Sequence, residues 1–67
     1  MKQYLKEVVK VQKLNPNWRN GQTHFNVLWD MYPELAEKVR GSNIDPFHND
    51  NILPNFLSFV ELEISKL

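Results

Sequence analysis

Prolines at positions 16, 33, 46 and 54 set the length of every element this chain can build. A proline has no N–H to donate, and its ring collides with the carbonyl four residues back. It therefore suits helix starts and turns and breaks a helix interior. Sixty-seven residues divided in this way make one small domain, residues 1–67, built from short pieces. There is no cysteine, so neither a disulfide framework nor a cysteine-based zinc site is open to the chain, and a reducing, cytoplasmic setting is the expectation. Cohesion falls to apolar packing, and at this size only about 60% of the unfolded surface leaves the water. With 42% hydrophobic residues, nearly every large apolar side chain is needed inside. A two-domain enzyme, a Rossmann unit and a barrel are excluded. No apolar run approaches the ~18 residues of a membrane span, and the N-terminus carries no signal-peptide core, so no membrane partner is expected.

Helical periodicity runs through the segments between the punctuation. In residues 2–14, Val11, Tyr4, Val8, Leu5 and Val9 share one arc at 100° per residue, and Lys2, Lys6, Lys10 and Lys13 share the next. The three β-branched valines make a strand the competing reading, but adjacent Val8 and Val9 break the alternation a strand needs. Asn15-Pro16-Asn17 ends this helix. In residues 20–31, His24, Phe25, Val27, Leu28, Trp29 and Met31 span about 200° of arc, which predicts the central, most buried helix. Pro33 opens a short third helix, 33–40, with Glu34 early and Lys38 and Arg40 late, the order the helix dipole favours. Gly41 is its expected stop. Residues 42–51 form a loop in which Asp45 caps a tight turn, Pro46 starts it and Phe47 tucks inward. A fourth helix, 52–66, carries Leu53, Leu57, Val60 and Ile64 on one face and tolerates Pro54 in its first turn. The expected fold is all-α, a small irregular bundle of four short helices (2–14, 20–31, 33–40, 52–66), with the Lys-rich segment 1–16 accessory to a core of 18–67.

Charge is balanced in total and uneven along the chain. Residues 1–19 hold five cations against Glu7 alone, and residues 20–67 hold three cations against seven acids. Neutrality argues against bulk nucleic-acid binding, which depends on phosphate neutralisation. The stripe Lys2, Lys6, Lys10, Lys13 is either a solvated helix face or a contact for an acidic protein or a phosphate backbone.

Residues capable of chemistry are few. Ser42, Ser58 and Ser65 lack a nucleophile-elbow setting, and Glu61 and Glu63 point apart on a helix. His24, His48 and a carboxylate offer a metal reading, but their spacing matches no metal motif. The plainer reading has Asp45 and Asp50 capping turns while His24 bonds a backbone carbonyl at the core edge. No catalytic residue, metal or cofactor is assigned, and enzyme activity is not expected. Trp18 either staples the start of the second helix against Leu28 or stands on the surface as an anchor, and Trp and Arg are the usual hot-spot types of interfaces. Lys6, Lys10, Lys13, Trp18 and Arg19 are accordingly the candidate partner contacts. Arg40, Gly41, Asp45, Pro46 and Phe47 form a structural loop clamp, with the Arg40 guanidinium reaching Asp45 or the loop carbonyls. Gly21 permits a close approach at the start of the second helix.

The run Trp18-Arg19-Asn20-Gly21-Gln22-Thr23-His24-Phe25-Asn26-Val27-Leu28, then Arg40-Gly41 and Asp45-Pro46-Phe47, then a Phe-rich closing helix, resembles short tailed-phage and prophage proteins of the pattern W-R-x-G-Q-x-x-F-N-x-L … R-G-x-x-x-D-P-F. The likeness covers residues 18–60, leaves the Lys-rich first helix outside it, and implies an origin without a mechanism. Size and resemblance together point to a non-enzymatic module that binds or inhibits a host factor. The alternative is a nucleic-acid accessory protein using the basic helix, and pairing of two copies through that helix is a further possibility.

Overall fold

The computed structural model describes residues 1–67. Four α-helices and no strand make up the chain: α1 Lys2–Leu14, α2 Asn20–Met31, α3 Pro33–Val39 and α4 Leu53–Ser65, with one 3-10 turn, Asp50–Ile52, leading into α4. The all-α reading holds, and the helix ends move by about a residue. Helix α3 stops at Val39 because Gly41, two residues on, takes φ +75 and turns the chain away. The start of α4 shifts to Leu53 because the Asn49 side chain accepts the Asn51 N–H and winds residues 50–52 into a tighter turn.

Helix α2 occupies the centre. Its Phe25, Val27 and Leu28 meet Tyr4 and Val8 from α1, Leu35, Ala36 and Val39 from α3, and Phe56 and Val60 from α4 in one buried cluster. The radius of gyration is 10.8 Å, against about 11 Å for a packed chain of this length, so α4 and the long loop are docked rather than splayed. The apolar arcs read from the sequence are wider than the buried faces. Leu5 and Val9, placed in the buried arc of α1, are 43% and 55% exposed, and Trp29 of α2 is 41% exposed. Helix α1 packs chiefly against α2, so only the flank bearing Tyr4 and Val8 is covered.

No α-helix is capped by the side chain of its own N-cap residue. Helix α2 instead borrows a cap from far along the chain, the Asp50 Oδ1, which accepts the Gly21 N–H at 3.0 Å. A carboxylate there satisfies an orphan donor and meets the positive end of the helix dipole. The approach needs glycine. A Cβ at Gly21 would collide with the Pro46 carbonyl and stand 2.7 Å from Asp50 Oδ1. Alanine is the better helix former by about 1 kcal/mol. Gly21→Ala is nevertheless expected to destabilise the protein, by about 2 kcal/mol, because the loop backbone must move off α2. Urea denaturation checks this, and an Ala variant at least as stable as wild type would contradict it.

Candidate functional site

Three places in the fold carry polar groups in a defined arrangement: an interior node on His24, the start of α2 under the long loop, and the outer face of α1.

At the interior node, the wholly buried Tyr4 hydroxyl donates to the His24 backbone carbonyl at 2.8 Å and lies 3.0 Å from His24 Nδ1. One hydroxyl has one proton, so both bonds coexist when Nδ1 carries hydrogen and the phenol oxygen accepts it. The imidazole also meets the edge of Phe56, with ring centroids 6.1 Å apart, so a single side chain joins α1, α2 and α4. The expectation that His24 bonds a backbone carbonyl is corrected: its ring nitrogen bonds a phenol, and its own carbonyl is the acceptor. Burial lowers the His24 pKa below its ordinary 6.5, with the Asp50 carboxylate pulling the other way. Burial likewise pushes the Tyr4 hydroxyl above its usual range.

Beside this node, a chain of polar contacts fixes the joint between α1 and α2. The Thr23 hydroxyl, fully buried, lies 2.8 Å from Gln12 Oε1 and 3.0 Å from the Arg19 carbonyl. The Gln12 amide in turn donates to the Trp18 and Asn15 carbonyls at 2.9 and 3.2 Å. No buried side-chain polar atom is left without a partner. Trp18 is therefore held by its backbone in a half-buried position at the foot of α1.

The loop clamp differs from expectation in its central member. Gly41 donates its N–H to Asp45 Oδ2 at 2.7 Å, and Asp45 Oδ1 accepts the Phe47 N–H at 2.9 Å, so Asp45 caps its turn. Pro46 is buried while Phe47 is half-buried against Phe25. Arg40 does not reach this turn. Its guanidinium lies 5.7 Å from the centre of the exposed Trp29 ring and 4.0 Å from Glu37. Arg19 takes the clamping role, donating to the Phe47 carbonyl and pairing with Asp50 at 3.5 Å. Arg19, read as a partner contact, thus also has an intramolecular role, while its side chain stays half exposed. The sequence held no local signal for this, since Arg19 and Asp50 lie far apart along the chain.

The outer face of α1 is different in kind. Lys2, Lys6, Lys10 and Lys13 are all exposed, and none forms an ion pair. Every other cation in the chain does: Arg19 with Asp50, Lys38 and Lys66 with Glu63, and Arg40 with Glu37. Leu5 and Val9 stand exposed beside the stripe.

No three His, Asp or Glu side chains converge to hold a metal ion, so His24 and His48 are not brought into such a group, and His48 rests against the Phe47 ring. One surface groove of about 350 Å³ runs between the α2–α3 junction and the end of α4, lined by Met31, Tyr32, Leu35 and Leu67 together with Lys38, Glu63 and Lys66. A hydrogen bond from Lys66, helped by Lys38, holds the Glu63 carboxyl below its usual range, which poises it poorly for proton transfer near neutral pH. No helix is long and apolar enough to cross a membrane. Comparisons with protein families, curated proteins and solved structures return no match to this chain.

Because folding lowers the His24 pKa, the unfolded chain binds more protons near pH 6.5. The stabilisation from neutral His24 is complete above that pH and is lost as the pH falls below it. Thermal melts between about pH 7 and about pH 5.5 should show a falling midpoint, with a shallower slope in His24→Gln. Separately, Arg19→Ala should cost about 1 kcal/mol through its freed loop, and Arg40→Ala under about 0.5 kcal/mol. The reverse order in denaturation would return the clamp to Arg40.

Proposed function

We propose that this chain is a small, non-enzymatic protein-binding module whose working surface is the outer face of α1, the Lys2, Lys6, Lys10, Lys13 stripe. The observation that carries the reading is the segregation of its cations. Four of eight are paired within the fold, and the four left unpaired lie on one helix. Lys2, Lys6 and Lys10 are spaced by four and Lys13 by three more, so each repels its neighbour across a helical turn at about 0.2–0.5 kcal/mol a pair. A fold selected for stability alone relieves such repulsion with an interleaved acid, whereas a partner's carboxylates relieve it only on binding. The exposed Leu5 and Val9 beside the stripe favour a protein over a phosphate backbone, which has nothing apolar to offer them. Trp18 is half-buried at the foot of α1, its carbonyl accepting from the Gln12 amide. The likeness of residues 18–60 to short tailed-phage proteins supports a phage origin, and together with the small size of the chain a host factor as the partner.

Charge reversal on α1 has opposite signs for stability and for binding. Lys6→Glu places an acid between Lys2 and Lys10 and should raise stability by about 0.5 kcal/mol. Lys6→Glu with Lys10→Glu should abolish capture of the partner from native-host extract. Capture by the wild type should survive nuclease digestion. Release by nuclease would move the function to nucleic acid, and retention by the double variant would remove α1 from the interface.

A further inference from the structure

Resting on that reading, we propose that the segment bound by α1 is an acidic amphipathic helix lying along the Leu5–Val9 ridge. Leu5 and Val9 are four residues apart, so they stand one above the other on the helix, about 5–6 Å apart between Cβ atoms. At 100° per residue the lysines follow next around the helix on one side of this pair, with Lys2 and Lys13 nearest and Lys6 and Lys10 beyond. On the other side come Gln12 and Met1, both part-covered, and then the buried Val8 and Tyr4. The face is therefore a short apolar ridge with positive charge on one flank only.

A second helix fits such a face by seating an apolar pair on the ridge and aligning a row of carboxylates with the lysine flank. This is how helices recognise grooves and seams elsewhere, through anchors at i and i+4 with flanking charge setting orientation. The 13 residues of α1 extend about 20 Å, enough for some three turns of a partner helix.

The other occupants fit less well. In a second copy of this chain the acids outside ion pairs are dispersed, with Glu7 on α1, Asp30 on α2, Glu34 on α3 and Glu61 on α4, so no single helix face mirrors the stripe. The remaining acid, Asp45, is occupied by the Gly41 and Phe47 N–H groups. A bilayer needs a wide apolar face, and that of α1 is already spent on Tyr4, Val8 and the core. Nucleic acid uses the lysines and leaves the ridge in water.

The test uses the full chain and two monomeric Ala-rich helical peptides of identical composition. In the first, a Leu pair at i, i+4 lies beside a row of four Glu; in the second, the Leu pair and the Glu row are on opposite faces. Calorimetric titration at low salt should give at least about tenfold tighter binding of the first, a difference of about 1.4 kcal/mol. The preference should fall below about threefold in Leu5→Ser with Val9→Ser, whose fold circular dichroism verifies; both positions are exposed, so folding is retained. Equal binding of the two peptides overturns the helix inference while leaving the cationic contact standing. Tighter binding of phosphatidylglycerol vesicles or of duplex DNA than of either peptide overturns both, and so does binding of neither peptide.

Discussion

The hydroxyl of Tyr4 decides how α1 lies on the rest of the molecule. Apolar residues cover so much of this helix that two orientations compete, one burying Tyr4, Val8 and Val11, the other rolled toward Leu5, Val8 and Val9. Greasy contact alone separates them weakly, because the hydrophobic effect has no direction. The phenol adds direction. Buried without its partners it would cost on the order of 1–3 kcal/mol, and it finds them only at the His24 carbonyl and ring. Rolling α1 would break both bonds and expose a tyrosine that is 0% exposed in the fold. Once Tyr4 points inward, the 3.6-residue period carries Lys2, Lys6 and Lys13 to the opposite side. One buried polar group thus selects the face that the protein shows to its surroundings.

The frame behind α1 is held by contacts distant in sequence. Asp50 reaches Gly21, Arg19 reaches Phe47, and Thr23 lies against Gln12, so the start of α2 gathers the long loop and the end of α1 into one joint. A chain with so thin a core needs this. Ten residues form the buried cluster, and the loop 42–51 adds Pro46 to the interior only because glycine at position 21 lets the backbone come close. Loop docking, the distant cap and helix packing are therefore coupled: loosening any one exposes the donors the others satisfy.

Much of this was legible in the residues themselves. Prolines, glycines and 3.6-residue periodicity are local signals, and they placed four helices to within about a residue. Gly21 and Gly41 announced a close approach and a left-handed turn, and both occur. The lysine stripe was legible for the same reason, since it is a matter of spacing on one helix. What escaped was relational. Whether Leu5 and Val9 are buried depends on how many neighbours α1 has, and a helix packed chiefly on one other covers only one flank. Whether Arg19 or Arg40 pins the loop depends on where α2 begins in space, and the two arginines look alike in sequence. That His24 receives a phenol rather than seeking a carbonyl required Tyr4 to arrive from 20 residues away.

The segregation of charge bears on why α1 looks as it does. If lysines were present only to keep a small protein in solution, either sign would serve and interleaving would be preferred, since it removes repulsion while keeping the surface polar. Elsewhere in the molecule that arrangement is found, with Glu63 between Lys38 and Lys66 and Glu37 three residues before Arg40. On α1 the one acid, Glu7, forms no pair with any of the four lysines. At 100° per residue it lies beyond Lys10 and away from the side that carries Leu5 and Val9. The same chain thus pairs every cation outside α1 and leaves all four unpaired on the helix whose orientation Tyr4 dictates. On that face four cations find no counter-charge within the fold, and the repulsion between neighbouring turns stands unrelieved there.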